Sequence, residues 1–345
     1  MALTRLTPTM PPPPPLLILL AQRLLLLQAI TPCAEADGVP AAVVPQFRLF
    51  EASVSNPRCT AENKFSGVAL NTSFIAPSGR TATFWGFYDG GTTWRWRFMP
   101  DEPGEWRYSW SFSDGSGNGT GRFLCVSAGA SPGVVGAYRQ NPRWFAYNGV
   151  TPVHLKSFYN KAGGLIRQNV SWAAEHYYDK FIGKGYNHHM SSGLLPILEL
   201  TQLGDGQPFA DGPPAINSTI YTDKKDPAGS MQLDVWRSLE AHLSYLNDRD
   251  VIADFFQGFD GGKHVQWGAL ASDAKRWWVS YMLARLAPFA NIGGFVYKWE
   301  TSGDDPHGDA ELADLLRELG AKRKRRSELF RFLLRTLLNV WISKY

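Results

Sequence analysis

Two patterns of hydrophobic and polar positions divide the chain. Between Phe47 and Ser127, short runs alternate apolar and polar residues, and turn-forming Pro, Gly, Asn and Asp separate them. Alternation with a period of two is typical of half-buried strands. The runs are FRLFEASV, GVALNTSFI, TATFWGFY, TWRWRFM, WRYSWSF and GRFLCV. Such closely spaced strands predict an immunoglobulin-like β-sandwich over residues 40–128.

Aromatic residues recur at alternate positions in two of these runs. They are Trp94, Trp96 and Phe98 in the first run, and Trp106, Tyr108 and Trp110 in the second. Residues two apart on a strand share one face, so we expect these rings to fill the core of the sandwich. A ligand-binding platform is the alternative that the same pattern leaves open.

After a Gly/Ser/Pro-rich stretch, predicted as a linker over 129–143, the hydrophobic period changes. Four strand patterns, each followed by a helical one, fill residues 144–320. The strands are predicted at 153–158, 186–192, 251–258 and 293–299, and the helices at 171–185, 233–248, 272–289 and 309–320. Repeated strand–helix units predict an α/β domain with a parallel sheet covered by helices.

A carboxylate follows the last of these strands. Glu300 comes directly after Trp299, and catalytic groups of strand–helix barrels lie at that end of the strands. An indole can exclude water from a carboxyl group and can stack against a sugar ring. The alternatives are that Glu300 caps the next helix or pairs with Lys298.

Other polar residues lie near predicted strand ends. Asp260, after the third strand, is a candidate for binding sugar hydroxyls or a turn-former before two glycines. His188 and His189 are adjacent on one strand and must point to opposite faces. We assign His188 and Asn187 as further substrate-binding candidates. No HExxH, CxxC, P-loop or GxGxxG pattern occurs, so neither a metal nor a cofactor is expected.

The first residues resemble a targeting segment. An apolar run follows Pro11–Pro15 and leads to small residues at Ala34 and Ala36, which predicts a cleaved secretory signal over 1–36 and an extracellular protein. An uncleaved anchor is the alternative, although Arg23 interrupts the apolar run.

Secretion would affect the cysteines and asparagines. Cleavage leaves Cys59 and Cys125 as the remaining pair, and we expect a disulfide between them. The N-glycosylation sequons are at Asn71, Asn118, Asn169 and Asn217.

The net charge of +4 is unevenly distributed. Residues 321–345 hold eight Lys and Arg against one Glu, which leaves the rest of the chain at −3. A mildly acidic body gives no basic face for nucleic acid. The basic and apolar tail, 321–345, is the only part expected to contact a membrane, and a tail unrelated to the barrel is the alternative.

Several segments, among them FMPDEPGEWRYSWSF, NPRWFAYNGVTPVHLKSF, FIGKGYNHHM and APFANIGGFVYKWE, resemble one known pairing of domains. In that pairing, an immunoglobulin-like domain of unknown function precedes an apiosidase-like glycoside-hydrolase TIM barrel. The resemblance implies that two carboxylates hydrolyse the O-glycosidic bonds of a polysaccharide or glycan. Glu300 matches the family's acid/base glutamate, and Trp299 stands where many relatives have Asn.

Only the first four strand–helix units of a TIM barrel are found between residue 144 and residue 320. The resemblance places the second carboxylate on a later strand, so we expect this chain to be truncated and inactive as a hydrolase. The alternative hypothesis is a non-catalytic, secreted protein that binds carbohydrate or matrix.

Overall fold

The computed structural model describes residues 42–129, 131–160, 165, 168–192, 228–229, 231–256, 271–296 and 315. All of them belong to one compact unit. The strands are β1 Ala42–Pro45, β2 Phe50–Ser55, β3 Leu70–Ile75, β4 Thr81–Trp85, β5 Phe87–Tyr88, β6 Thr93–Phe98, β7 Gly104–Phe112, β8 Asn118–Val126, β9 Val135–Ala137, β10 Phe145–Tyr147, β11 Thr151–Pro152, β12 Ser157–Asn160, β13 His188–Ser192, β14 Ile252–Phe256 and β15 Ile292–Val296. The helical segments are α1 Val170–Ala173, a π-helical turn Ala174–Tyr178, α2 Asp179–Ile182, α3 Leu233–Asn247 and α4 Ser272–Leu286.

The first eight strands form two facing sheets. One sheet has the order β1-β8-β7-β3-β4 and the other has the order β2-β6-β5. Neighbouring strands are antiparallel, except that β1 runs parallel to β8. Inward side chains of both sheets share one core, so these strands form a β-sandwich.

Aromatic rings fill the core of the sandwich, as their alternation predicts. Trp94, Trp96 and Trp106 are each at most 1% exposed. Phe50 stacks on Phe123 across the two sheets, with 4.1 Å between ring centroids. Burying such large rings is the main source of stability that a small sandwich has.

The stretch predicted as a linker contains a strand. β9 pairs with β10, and β10 pairs with β11. Val134 and Val135 are 1% and 2% exposed, and Val135 lies close to Gly293 at the start of β15. Two consecutive buried valines therefore anchor this part of 129–143 to the next sheet.

The last four strands form a parallel sheet in the order β12-β13-β14-β15. Its sequential order agrees with the predicted strand–helix units. The first strand begins later than predicted, at Ser157 and not at residue 153. In α3, buried Val235, Leu239 and Leu246 recur at helical spacing on one face, which is the amphipathic pattern of a helix that covers a sheet. Of the predicted helix 309–320, the structure describes Leu315, which is helical and buried.

Buried charges join the sandwich to these helices. Arg97 of β6 donates to Glu240 of α3, and Arg285 of α4 donates to both Glu240 and Asp89. All four residues are at most 7% exposed. The sandwich is thus held against α3 and α4 by ionic hydrogen bonds as well as by apolar contacts.

The predicted disulfide is absent, since Cys59 and Cys125 are both free, buried thiols. The loop after β2 lies beside the β7–β8 turn, where Asn56 donates to Ser116. Cys125 lies at the other end of β8, roughly 23 Å from the β7–β8 turn at the usual rise per residue along a strand. Three residues from Asn56 to Cys59 span at most ~11 Å, whereas a disulfide needs Cα atoms within ~7 Å. The sequence placed both cysteines in one sandwich, but it did not show that they lie at opposite ends of it.

Among the described residues, none of the helices combines the length and apolar character that a membrane span requires.

Candidate functional site

The predicted catalytic strand end is only partly described. β14 ends at Phe256 and β15 ends at Val296. Asp260 and Glu300 each follow four residues later in the sequence, and both of them, together with Trp299, lie outside the described residues. Because β14 and β15 are parallel neighbours, their carboxyl ends share one edge of the sheet.

Three side chains on adjacent strands form a row of close polar contacts on one face of the sheet. The Oγ atom of Ser157 lies 2.7 Å from Nδ1 of His188. The Nε2 atom of His188 lies 2.9 Å from Oδ2 of Asp254. The contact between His188 and Asp254 is close but lacks the alignment of a hydrogen bond, so Nε2 of His188 has no hydrogen-bond partner among the described residues.

The strand register brings this row together. Ser157 and His188 are directly paired, and Asp254 pairs with Met190, two residues beyond His188 on the same face. His188 is 2% exposed, whereas Ser157 is exposed. Serine, histidine and aspartate are also the residue types of nucleophilic catalysis. Here, however, Ser157 and His188 are the first residues of their strands, far from the carboxyl ends where barrel chemistry lies.

Asn187 connects the segment before β12 to the start of β13. Its Oδ1 accepts from the backbone N–H of Lys156 at 2.8 Å, and its Nδ2 donates to the carbonyl of His154 at 3.1 Å. Sequence reasoning assigned Asn187 and His188 to the substrate-binding mouth, whereas the structure places both at the amino-terminal end of β13. The reason is the strand boundary, since β13 begins at His188 itself.

His189 points to the opposite face, as strand alternation requires. Its ring lies 4.9 Å from that of Phe158 and 5.4 Å from that of Tyr178. Burial lowers the pKa of His189 to about 3, and the nearby His242 and His188 act in the same direction. His189 is therefore a neutral core residue between sheet and helices.

His242 of α3 is a second buried histidine in this layer. It lies 2.9 Å from the hydroxyl of Tyr178 through Nδ1 and 3.0 Å from the carbonyl of Gln168 through Nε2. Because a carbonyl only accepts, Nε2 carries the proton and Nδ1 accepts from Tyr178. Burial lowers the pKa of His242 to about 4.

Sequence reasoning missed Ser157 and Asp254. Asp254 interrupts the apolar run VIADFF, and a lone carboxylate in a buried strand signals a partner on a neighbouring strand. Glycine at position 293 completes the site, because a Cβ atom there would lie 2.5 Å from Oδ1 of Asp254. The serine gives no comparable signal, since its partner depends on the register.

Three of the sequon asparagines fall within the described residues. Asn71, Asn118 and Asn169 are all exposed, and Asn217 lies outside the described part. The Oδ1 atom of Asn169 accepts from the backbone of Ser171 and caps α1. In the same described ranges, no three His, Cys, Asp or Glu residues converge as a metal site would require.

Comparison with known proteins finds a family match within the sandwich and a solved structure of similar fold. Residues 43–113 match the family described as a domain of unknown function, DUF5060. The chain also shares its fold with a candidate glycoside hydrolase from Bacteroides vulgatus ATCC 8482, at a TM-score of 0.61 and 22% identity. That match covers 83% of this chain and 55% of the solved one, so the chain spans about half the length of its neighbour.

Other solved structures align less well. A candidate α-galactosidase/melibiase from Bacteroides fragilis NCTC 9343 is 12% identical over 86% of this chain and 50% of its own, at a TM-score of 0.24. A pullulanase from Anoxybacillus sp. LM18-11 complexed with maltotetraose is 10% identical over 83% of this chain and 48% of its own, at 0.26. Such scores carry no argument about fold. No curated protein matches the chain.

Proposed function

We propose that the protein is a secreted, glycoside-hydrolase-like protein that acts on an O-glycosidic bond of a polysaccharide or glycan, with Glu300 as general acid/base. The observation that carries this proposal is the parallel sheet β12-β13-β14-β15, with Glu300 four residues beyond the end of β15. Catalytic carboxylates of strand–helix barrels occupy this position relative to their strands.

The architecture proposed with this function is an immunoglobulin-like sandwich followed by the first half of an apiosidase-like TIM barrel. Two facing sheets and four sequential parallel strands support this assignment. The fold shared with the Bacteroides vulgatus protein supports it as well. Because this chain covers only 55% of that protein, a hydrolase activity and its substrates are proposed for this chain and are not taken from the match.

Hydrolysis needs a second carboxylate across the scissile bond. A separation of ~5–5.5 Å gives retention and ~6.5–9.5 Å gives inversion of stereochemistry. In the proposed site, Glu300 protonates the leaving oxygen, Trp299 excludes water and stacks on the sugar, and Asp260 binds hydroxyl groups. Secretion through the segment 1–36 and glycosylation at the sequons Asn169 and Asn217 belong to the same proposal.

The test is Glu300→Gln, assayed on a panel of aryl glycosides with the 345-residue chain and with a form carrying four further strand–helix units. Loss of a general acid/base typically lowers turnover ~10²–10⁴-fold. The control is Glu311→Gln, a neighbouring glutamate in the predicted helix, which should keep full turnover. If both variants unfold at the same temperature, a loss of turnover in Glu300→Gln reflects chemistry and not folding. If Glu300→Gln turns over as fast as Glu311→Gln, Glu300 has no part in the mechanism.

A non-catalytic, secreted glycan- or matrix-binding protein is the second candidate. In that case, Glu300→Gln would leave sugar binding unchanged, and the protein would release no product from any aryl glycoside. An uncharged groove on the sandwich favours a binding function of this kind, whether or not the hydrolase site is active.

A further inference from the structure

A groove crosses the outer face of the five-stranded sheet. Its volume is about 600 Å³, within the range of ~300–1,000 Å³ that small-ligand sites occupy. The strands β4, β3, β7 and β8 form its floor. The residues lining it are Asn71, Thr72, Ser73, Thr83, Phe84, Trp85, Ser109, Trp110, Ser111, Asn118, Gly119 and Thr120.

The outward residues of this groove form two parallel rows. The strand register aligns Trp85, Asn71, Ser111 and Asn118 in one row, and Thr83, Ser73, Ser109 and Thr120 in the next. Each row crosses four strands and is roughly 14 Å long at the usual strand spacing. The groove therefore suits an elongated ligand.

Charge changes abruptly at the next row of the same face. There the register aligns Ile75 with Arg107 and Arg107 with Arg122. Both arginines pair with Glu105. None of the residues lining the groove is charged, so the sheet presents a neutral half and a charged half.

Three polar side chains in the neutral half are available to a ligand. Asn71, Ser109 and Ser111 are exposed, and no side-chain hydrogen bond within the described part of the chain engages them. Hydroxyl and amide groups both donate and accept, which matches a ligand rich in hydroxyls. Phosphate or carboxylate ligands need Arg or Lys instead.

We propose that this groove binds a neutral oligosaccharide along the two rows, with the half-buried Trp85 forming its wall at the edge strand. The site belongs to the sandwich and does not depend on Glu300. Because Asn71 and Asn118 are also sequons, N-glycans attached there would cover the groove, and binding is expected only from protein that lacks them.

The experiment uses the full chain produced in bacteria, which attach no N-glycans at these sequons. Calorimetric titration with cellohexaose, xylohexaose, maltohexaose and mannohexaose should detect binding of at least one of them, and hexagalacturonate should bind at least tenfold more weakly. Ser109→Arg places a long charged side chain in the groove and should weaken binding at least tenfold. Ile75→Arg, on the same face but outside the groove, should leave binding unchanged.

Three results would overturn the proposal. The first is that none of the neutral hexasaccharides binds. The second is that Ser109→Arg binds as tightly as the unaltered chain. The third is that protein from animal cells is found to be fully glycosylated at both Asn71 and Asn118. Glu300→Gln should bind as tightly as the unaltered chain. Failure of the groove and failure of the hydrolase site are therefore distinguishable.

Discussion

Arg97 of the sandwich and Glu240 of α3 form a buried ion pair, with Nη2 of the arginine 2.8 Å from Oε2 of the glutamate. Arg285 donates to the same carboxylate from α4. The pair connects residues 143 positions apart in the sequence. Two cations around one carboxylate satisfy its oxygens without water, so each partner depends on the others.

Glu240→Ala should lower the free energy of unfolding by about 3–5 kcal/mol, because it leaves two buried guanidinium groups without their shared carboxylate. Urea unfolding followed by tryptophan fluorescence measures the change. Glu105→Ala is the matched control, since Glu105 forms exposed pairs with Arg107 and Arg122 and should cost at most about 1 kcal/mol. Equal costs for the two variants would contradict the structural role of the buried pair.

Acid should weaken the same network. Burial opposes ionisation of Glu240, but Arg285 and Arg97 outweigh it and lower the pKa of Glu240 from 4.5 to about 2. A lowered pKa means that the pair stabilises the fold fully above pH 4.5 and loses this contribution as the pH falls toward 2. Urea titrations at successive pH values should show this loss in the unaltered chain and a smaller one in Glu240→Ala.

His242 should add a separate acid dependence at higher pH. Its pKa is about 4 in the fold and 6.5 when unperturbed, so unfolding takes up a proton between these values and stability falls as the pH drops below 6.5. His242→Gln retains a donor for Gln168 and an acceptor for Tyr178, and it stays uncharged. The pH slope between 6.5 and 4 should therefore shrink.

The control for this slope is His176→Gln, because the His176 side chain is 42% exposed. The slope of this variant is measured beside that of His242→Gln. An undiminished slope in His242→Gln would mean that other groups, such as the buried His189, account for the acid sensitivity.

Sequence reasoning succeeded where local pattern decides the structure. Alternation at Trp94 and Trp96 identified the inward face of β6, and the apolar spacing of Val235, Leu239 and Leu246 identified α3. Both signals reflect burial of one face, which a short stretch of chain records by itself.

Contacts across long separations were not predictable in this way. The pairing of Arg97 with Glu240 depends on how the sandwich meets α3, and the row from Ser157 to Asp254 depends on strand register. A register shift by one residue would move every side chain to the other face. β13 begins at His188, so Asn187 and His188 lie at the amino-terminal end of that strand and away from the mouth.

The two described cysteines should be unreactive in the folded protein and free after unfolding. Burial first, and then the carboxylates of Asp101 and Glu102, raise the pKa of Cys125 to about 11, which suppresses the reactive thiolate. Iodoacetamide should therefore modify Cys59 and Cys125 slowly in buffer, and fully in urea without any reductant. Peptide mapping that finds the two joined would contradict their separation at opposite ends of the sandwich.

Gly293→Ala should disturb the face of the sheet that holds Asp254 and His188. A Cβ atom at this position would lie 2.5 Å from Oδ1 of Asp254 and 2.6 Å from Cγ2 of Ile252, both within a buried strand pair. Overpacking of this kind costs about 1–3 kcal/mol of unfolding free energy. Gly117→Ala is the matched control, because its Cβ would first meet Phe112 at 3.4 Å, an ordinary contact. Urea unfolding should show a loss for Gly293→Ala alone, and an equal stability for both variants would mean that the carboxylate can move aside without cost.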